Sequence, residues 1–119
     1  MTTIAVDFDG VIHRYSRGWH DGTIYDEPMS GALDGLRALM RRHAVFIHTS
    51  RTPSQVADWL VQHGGFQVTT DVPHSGFWDD RARLLVTDRK LPAIAYLDDR
   101  AVTFTDWPQA LADLAVPAA

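Results

Sequence analysis

Short apolar runs alternate along the chain with segments whose apolar residues recur at helical spacing. The runs are rich in β-branched and aromatic residues and occupy residues 3–8, 44–49 and 94–97. Continuous apolar runs of this length are typical of strands buried on both faces of a parallel sheet. Strands that alternate with helices form right-handed βαβ units, with helices on both faces of the sheet. The pattern therefore predicts an α/β domain, a three-layer Rossmann-like arrangement around a mainly parallel sheet.

The ends of the helices carry recognisable signals. Ser30 is predicted to cap a first helix, whose apolar residues are Leu33, Leu36, Leu39 and Met40. The sequence from Thr52 to Gln55 matches a capping box with proline at the first helical position, and Gly64 is predicted to end that second helix. Asp106 is predicted to cap a last helix.

Three further segments give weaker signals. Residues 67–70 are predicted to form a short strand and residues 101–105 an edge strand. Residues 84–86 are apolar, but periodicity alone does not decide between a strand and the end of a helix.

The whole chain, residues 1–119, is predicted to be a single domain. Residues 11–29 follow no regular period, and we interpret them as a short flap after the first strand, in which 11–13 and 23–25 are candidates for a small hairpin. Residues 71–83 are predicted to be a loop near the site. Neither segment is long enough for a large cap domain.

Composition and charge narrow the possible functions. The chain has 119 residues, no cysteine and a formal net charge of −4. The absence of cysteine excludes a disulfide scaffold, a thiolate zinc site and a cysteine nucleophile. The charge gives no reason to expect binding to nucleic acid or to an anionic membrane. With no apolar run long enough to span a bilayer or to act as a signal peptide, we expect a cytoplasmic protein.

Polar residues follow the predicted strands: Asp7 and Asp9, then Thr49, then Asp98 and Asp99. In open α/β sheets the carboxyl ends of the strands line the ligand crevice. Four carboxylates brought together would repel one another, and a bound divalent cation removes that cost. Hard oxygen ligands select Mg²⁺, so we expect a magnesium site formed by these aspartates.

Candidate phosphate-binding residues lie near the same strand ends. Thr49 offers a hydroxyl group, although the hydroxyl of the adjacent Ser50 is an equal alternative. Lys90 offers a positive charge just before the strand that leads to Asp98. Arg51 could grip a phosphate as a planar fork, or could simply form a surface ion pair.

These residues resemble a known family. The order Asp7-Phe8-Asp9-Gly10-Val11, then Thr49, Lys90 and Asp98-Asp99, is similar to the four motifs of the haloacid dehalogenase-like (HAD) superfamily. The resemblance spans residues 4 to about 100 and points to a small capless (C0-type) member. It implies a Mg²⁺-dependent phosphatase, a hydrolase of phosphomonoesters. The phosphorylated substrate could be a nucleotide, a sugar phosphate, another small metabolite or a nucleic-acid phosphate end, and nothing in the sequence selects among these. A site with so little cover is shielded by the flap, by the 71–83 loop or by a second subunit of a homo-oligomer.

The resemblance also assigns roles. Asp7 would be the nucleophile that forms an aspartyl-phosphate, and Asp9 the general acid and base. Thr49 and Lys90 would bind the phosphoryl group. Mg²⁺ would be held by Asp7, the backbone carbonyl of Asp9 and Asp98, with Asp99 a direct ligand or one acting through water.

Two alternatives belong to other classes of protein. A non-catalytic or regulatory module of the same fold would keep the acidic pocket to bind Mg²⁺ and a phosphorylated ligand. A receiver domain would carry its phosphorylated aspartate on a middle strand, where this chain has Thr49. Tryptophans in loops, Trp19 and Trp78, would either border the crevice and stack on a base or sugar, or pin the loops to the core.

Overall fold

The computed structural model describes residues 2–98, 102–103 and 105–114. Its strands are β1 (Thr2–Asp7), β2 (His43–His48), β3 (Val68–Thr69), β4 (Leu84–Thr87), β5 (Ala95–Asp98) and β6 (Val102–Thr103). Its helices are α1 (Ala32–Met40), α2 (Pro53–Gly64) and α3 (Trp107–Asp113). In the described ranges, no helix has the length and apolar character needed to cross a membrane.

All six strands form one sheet in the order β3-β4-β2-β1-β5-β6, and every pairing between them is parallel. The central strand β1 therefore pairs with β2 on one side and with β5 on the other. Residues 3–6 of β1, 44–47 of β2 and all of β4 are almost inaccessible to solvent, as expected for a sheet covered on both faces. This confirms the predicted α/β domain with a parallel sheet.

The two faces of the sheet are covered differently. All three helices contribute to one apolar cluster, through side chains such as Leu36, Leu60 and Trp107. The cluster on the other face, built around Phe46 and Trp78, contains no helical residue in the described part of the chain. The predicted third layer of helices is therefore wrong for these residues. No helix covers that face between β4 and β5 because the connection, residues 88–94, has only seven residues and is too short for a packed helix.

The N-terminal caps of the three helices agree with the predicted caps only in part. Gly31, with φ 81°, occupies the N-cap of α1, so the cap predicted at Ser30 is wrong. Thr52 is the N-cap of α2 and Pro53 its first residue, as predicted, but no side chain completes a capping box. In α3 the predicted cap is confirmed, because the carboxylate of Asp106 accepts a hydrogen bond from the amide of Gln109.

The flap, residues 11–29, is irregular. Its predicted hairpin is wrong: the backbone of His13 forms isolated bridges with Asp9 and with Pro28. Three successive amides, those of Val11, Ile12 and His13, point at the carbonyl of Phe8. The chain therefore turns tightly just after β1, and this turn positions everything that follows Asp7.

Candidate functional site

The carboxyl ends of the central strands place polar side chains side by side. Val6 is paired with Leu97, so Asp7 and Asp98 come next at the same level on adjacent strands. On the other side of β1, Asp7 is paired with His48, which is paired with Thr87. Because side chains at one level of a sheet point to the same face, these residues form one row. We call Asp7, His48, Thr87 and Asp98 the edge row.

The two carboxylates of the edge row lie on strands separated by about 4.8 Å. Both aspartates are partly buried, and Oδ1 of Asp7 accepts a hydrogen bond of 2.8 Å from the amide of Phe8. Like charges this close destabilise one another unless a cation lies between them. The sheet thus brings together the two aspartates that were predicted from opposite ends of the sequence.

This donor set fits Mg²⁺, which commonly binds through one or two carboxylates and keeps several water ligands. The described residues contain no group of three or more histidine, aspartate or glutamate side chains that could hold a metal ion. Of the other predicted ligands, Asp9 lies at the start of the turn after β1, two residues beyond Asp7, and Asp99 lies outside the described residues.

Thr49 immediately follows β2, and its amide donates a hydrogen bond of 3.0 Å to the carbonyl of Thr87. Its hydroxyl accepts a bond from the amide of Arg51, at 3.1 Å, and its side chain is buried. The neighbouring Ser50 is exposed. The two hydroxyls therefore lie in the short segment between the end of β2 and the start of α2.

Asp9 has a different environment from Asp7. The Nε atom of Arg51 contacts both of its carboxylate oxygens, at 2.8 and 3.1 Å. Oδ1 also lies 2.9 Å from Nδ1 of His13. The strand stops at Asp7, so the two aspartates do not share one face of a strand. Asp7 belongs to the edge row, while Asp9 joins a network beneath the flap.

His13 is the functional candidate that sequence reasoning undervalued. It is completely buried, stacked on Phe8 with ring centroids 5.5 Å apart. Its Nε2 atom accepts a hydrogen bond of 3.0 Å from the amide of Asp26. A neutral imidazole with an acceptor at Nε2 must carry its proton at Nδ1, so His13 donates to Asp9. The spacing of four residues, with Gly10 between, was the available signal.

Arg51 links this network to the flap. Its side chain is buried, and Nη1 donates a hydrogen bond of 2.7 Å to the carbonyl of Gly22. Its guanidinium lies over the ring of Trp19, 4.6 Å from the centroid, while the buried Nη2 has no hydrogen-bond partner among the residues that the structure describes. The residue predicted as a phosphate ligand thus holds Asp9 and the flap together.

Lys90 lies on the same face of the sheet as the edge row but nearer to the amino ends of the strands. Its Nζ atom is 5.3 Å from the centroid of the Tyr96 ring, and Tyr96 precedes Asp98 by two positions on β5. Burial and the nearby charge of Asp98 both raise the pKa of Tyr96. Within the described residues, Lys90 forms no salt bridge, so it stands near the edge row without touching its carboxylates.

The loop at 71–83 meets the site only at its start. It leaves β3 at the carboxyl edge, but the carbonyl of Trp78 accepts a hydrogen bond of 2.7 Å from the hydroxyl of Thr3, at the opposite end of β1. Most of this loop therefore covers the helix-free face, away from Asp7.

Comparison with known proteins gave no match among family models, curated proteins or solved structures. Assignment of a function therefore depends on the chemistry of the residues themselves.

Proposed function

We propose that the chain is a Mg²⁺-dependent phosphomonoesterase that works through an aspartyl-phosphate on Asp7. The observation that supports this most is the register of β1 and β5, which sets Asp7 and Asp98 side by side at the carboxyl edge. Two carboxylates at one level of adjacent strands are hard oxygen donors that can share a divalent cation, which supports a cation site at this edge.

In this mechanism Asp7 attacks the phosphorus atom of the ester, and the bond to the leaving oxygen breaks. Asp9 gives a proton to that oxygen, so the alcohol leaves neutral. Asp9 then takes a proton from a water molecule, whose oxygen displaces the carboxylate of Asp7 from phosphorus. Inorganic phosphate leaves and both aspartates return to their starting state.

The other residues bind the phosphoryl group. Thr49 and Ser50 offer hydroxyls beside the first turn of α2, and the Nη2 atom of Arg51 is a further donor. Lys90 would need to swing from Tyr96 towards the edge row to take the role that the family resemblance gives it. Mg²⁺ held by Asp7, Asp98 and the carbonyl of Asp9 would neutralise charge on the phosphate oxygens.

The direct test compares Asp7→Asn with wild type in Mg²⁺-dependent hydrolysis of p-nitrophenyl phosphate. We expect the variant to lose activity by a factor on the order of a thousand or more, because the amide cannot act as the nucleophile. Asp34→Asn is the matched control, since this side chain in α1 is 84% exposed and distant from the strand ends. Circular dichroism checks that both variants fold. Full activity of Asp7→Asn would refute the mechanism.

One observation favours a non-catalytic module as the second candidate. Both oxygens of Asp9 are already held by Arg51 and His13, which restrains the group that must exchange protons with the substrate. A module of this kind would bind Mg²⁺, measured by calorimetry, without turnover of any ester in a broad panel. Hydrolysis that disappears in Asp7→Asn excludes this alternative.

A further inference from the structure

An exposed tryptophan is fixed at the rim of the candidate site. Trp19 is 55% exposed, although the guanidinium of the buried Arg51 lies against its ring. The backbone at Gly22 packs so closely on the indole that a Cβ there would lie 3.0 Å from Cζ2. Arg51 and Gly22 thus fix the indole ring in place while more than half of the side chain is exposed to water. A flat group can stack on such a ring.

A groove of about 540 Å³ lies between the flap and α2, and it is lined by Gly22, the residue that packs against the Trp19 ring. This is within the size range of small-molecule sites. Apolar contact is available from Ile24 and the ring of Trp59. Hydrogen-bonding groups along the groove come from Thr23, Gln55, Asp58 and Gln62.

The groove and the catalytic carboxylate are joined by one side chain. Arg51 contacts Asp9 through Nε and the carbonyl of Gly22, a groove residue, through Nη1. In the proposed mechanism Asp9 protonates the leaving oxygen, and a single side chain, that of Arg51, spans from Asp9 to the groove wall at Gly22.

The lining decides which leaving group fits. Carboxylates of Asp21 and Asp58 line the groove, and they would repel a second phosphate. A flat ring would stack on Trp19, and its polar edges and attached hydroxyls would meet the amides and carboxylates of the groove. This combination suits a nucleoside better than a sugar, which has no flat aromatic face, or a chain of phosphates.

We propose that the groove between the flap and α2 is a nucleoside subsite, with Trp19 as its stacking platform. The proposal rests on the proposed phosphatase function and specifies its substrate class: a nucleoside with one terminal phosphate. A free nucleoside monophosphate and the phosphorylated end of an oligonucleotide share this chemistry.

The experiment has a catalytic arm and a binding arm. The catalytic arm measures kcat/KM for AMP, for a 5′-phosphorylated oligonucleotide and for glucose 6-phosphate, each with Mg²⁺. We expect wild type to prefer AMP to the sugar phosphate. Trp19→Ala should lower the ratio of the two kcat/KM values about tenfold, mainly through KM for AMP, because stacking on one aromatic ring is lost. Trp19→Phe should restore most of the ratio. Phe77→Ala, which removes another exposed aromatic ring in the remote loop, is the control.

The binding arm titrates adenosine, without Mg²⁺, into wild type, Trp19→Ala and Asp7→Asn, followed by NMR. We expect binding to wild type and to Asp7→Asn and its loss in Trp19→Ala. Adenosine binding without hydrolysis of any ester would refute the proposed function and leave the subsite standing. Hydrolysis without adenosine binding, or with equal preference for the sugar phosphate, would refute the subsite. Activity on the oligonucleotide above that on AMP would assign the site to nucleic-acid ends.

Discussion

Substitution of Gly35 by alanine tests the packing that supports the site. Its expected effect on the free energy of unfolding has the opposite sign to that of most glycine-to-alanine substitutions in helices. Alanine in place of glycine inside a helix normally stabilises it by about 1 kcal/mol. Here a Cβ at position 35 would lie 2.3 Å from Cε3 of Trp107 and 2.7 Å from Cζ3. Favourable carbon contacts are about 3.5–4.0 Å, so the indole would have to move by more than about 1 Å.

The indole of Trp107 has little freedom to make that movement. It is 1% exposed, and its Nε1 atom donates a hydrogen bond of 3.0 Å to the carbonyl of Val11. Overpacking of a core costs about 1–3 kcal/mol, and the rigid ring places this site near the upper end. After the gain in helix propensity, we expect Gly35→Ala to lower the free energy of unfolding by about 2 kcal/mol.

Urea denaturation followed by circular dichroism measures this change. The matched control is Asp34→Ala, an exposed neighbour in the same helix, which should stay within about 0.5 kcal/mol of wild type. In a Trp107→Leu background the obstacle is gone, and Gly35→Ala should become stabilising by up to about 1 kcal/mol. A stabilising effect of Gly35→Ala in the wild-type background would contradict the close packing of Trp107 in α3 against Gly35 in α1.

Two further predictions concern the network beneath the flap. His13→Asn keeps a donor for Asp9 but loses the acceptor for the amide of Asp26, whereas His13→Gln keeps that acceptor and loses the donor. We expect the glutamine variant to show the larger fall in kcat. We expect the asparagine variant to show the faster amide exchange in the flap. Equal falls in kcat would contradict a specific role for the Asp9 contact. Hydrogen bonds from the hydroxyl and amide of Ser16, and from the amide of Glu27, lower the pKa of Asp26 from 3.8 to about 2. The contribution of Asp26 to the flap is therefore complete above about pH 4 and lost as the pH falls through about 2, which an NMR titration of these amides checks; a midpoint near 4 would show that the bonds are absent.

The sequence predicted the sheet well because its strands are buried on both faces. Such strands must be apolar throughout, so their runs are visible without any knowledge of the fold. The two-residue strands β3 and β6 lie at the sheet edges, where the pattern is weaker. The predicted third layer failed because periodicity shows where helices can form, but not which crossover lies on which face. Only the short length of the connection at 88–94 indicates that no helix crosses the sheet between β4 and β5.

Part of the candidate site followed from the same reasoning. Asp7 and Asp98 end strands, and parallel strands end at one edge, so their proximity was predictable. The network of Asp9, His13 and Arg51 was not, because it depends on the turn at Gly10, which has φ 81°, and on how the flap folds back over α2. No periodic pattern encodes such a turn.

The position of β1 in the middle of the sheet also has a consequence for biosynthesis. Ile4 pairs with Val45 on one side but with Ala95 on the other, so one half of the edge row leaves the ribosome long before the other. Until β5 is made, the nascent chain exposes one apolar edge of β1 and has only half of its acidic pair. Pairing of such distant segments is slow, because a long loop must close before any contact forms. The candidate cation site therefore cannot form until Asp98 has been synthesised, and a ribosome stalled before residue 95 would hold a product without one.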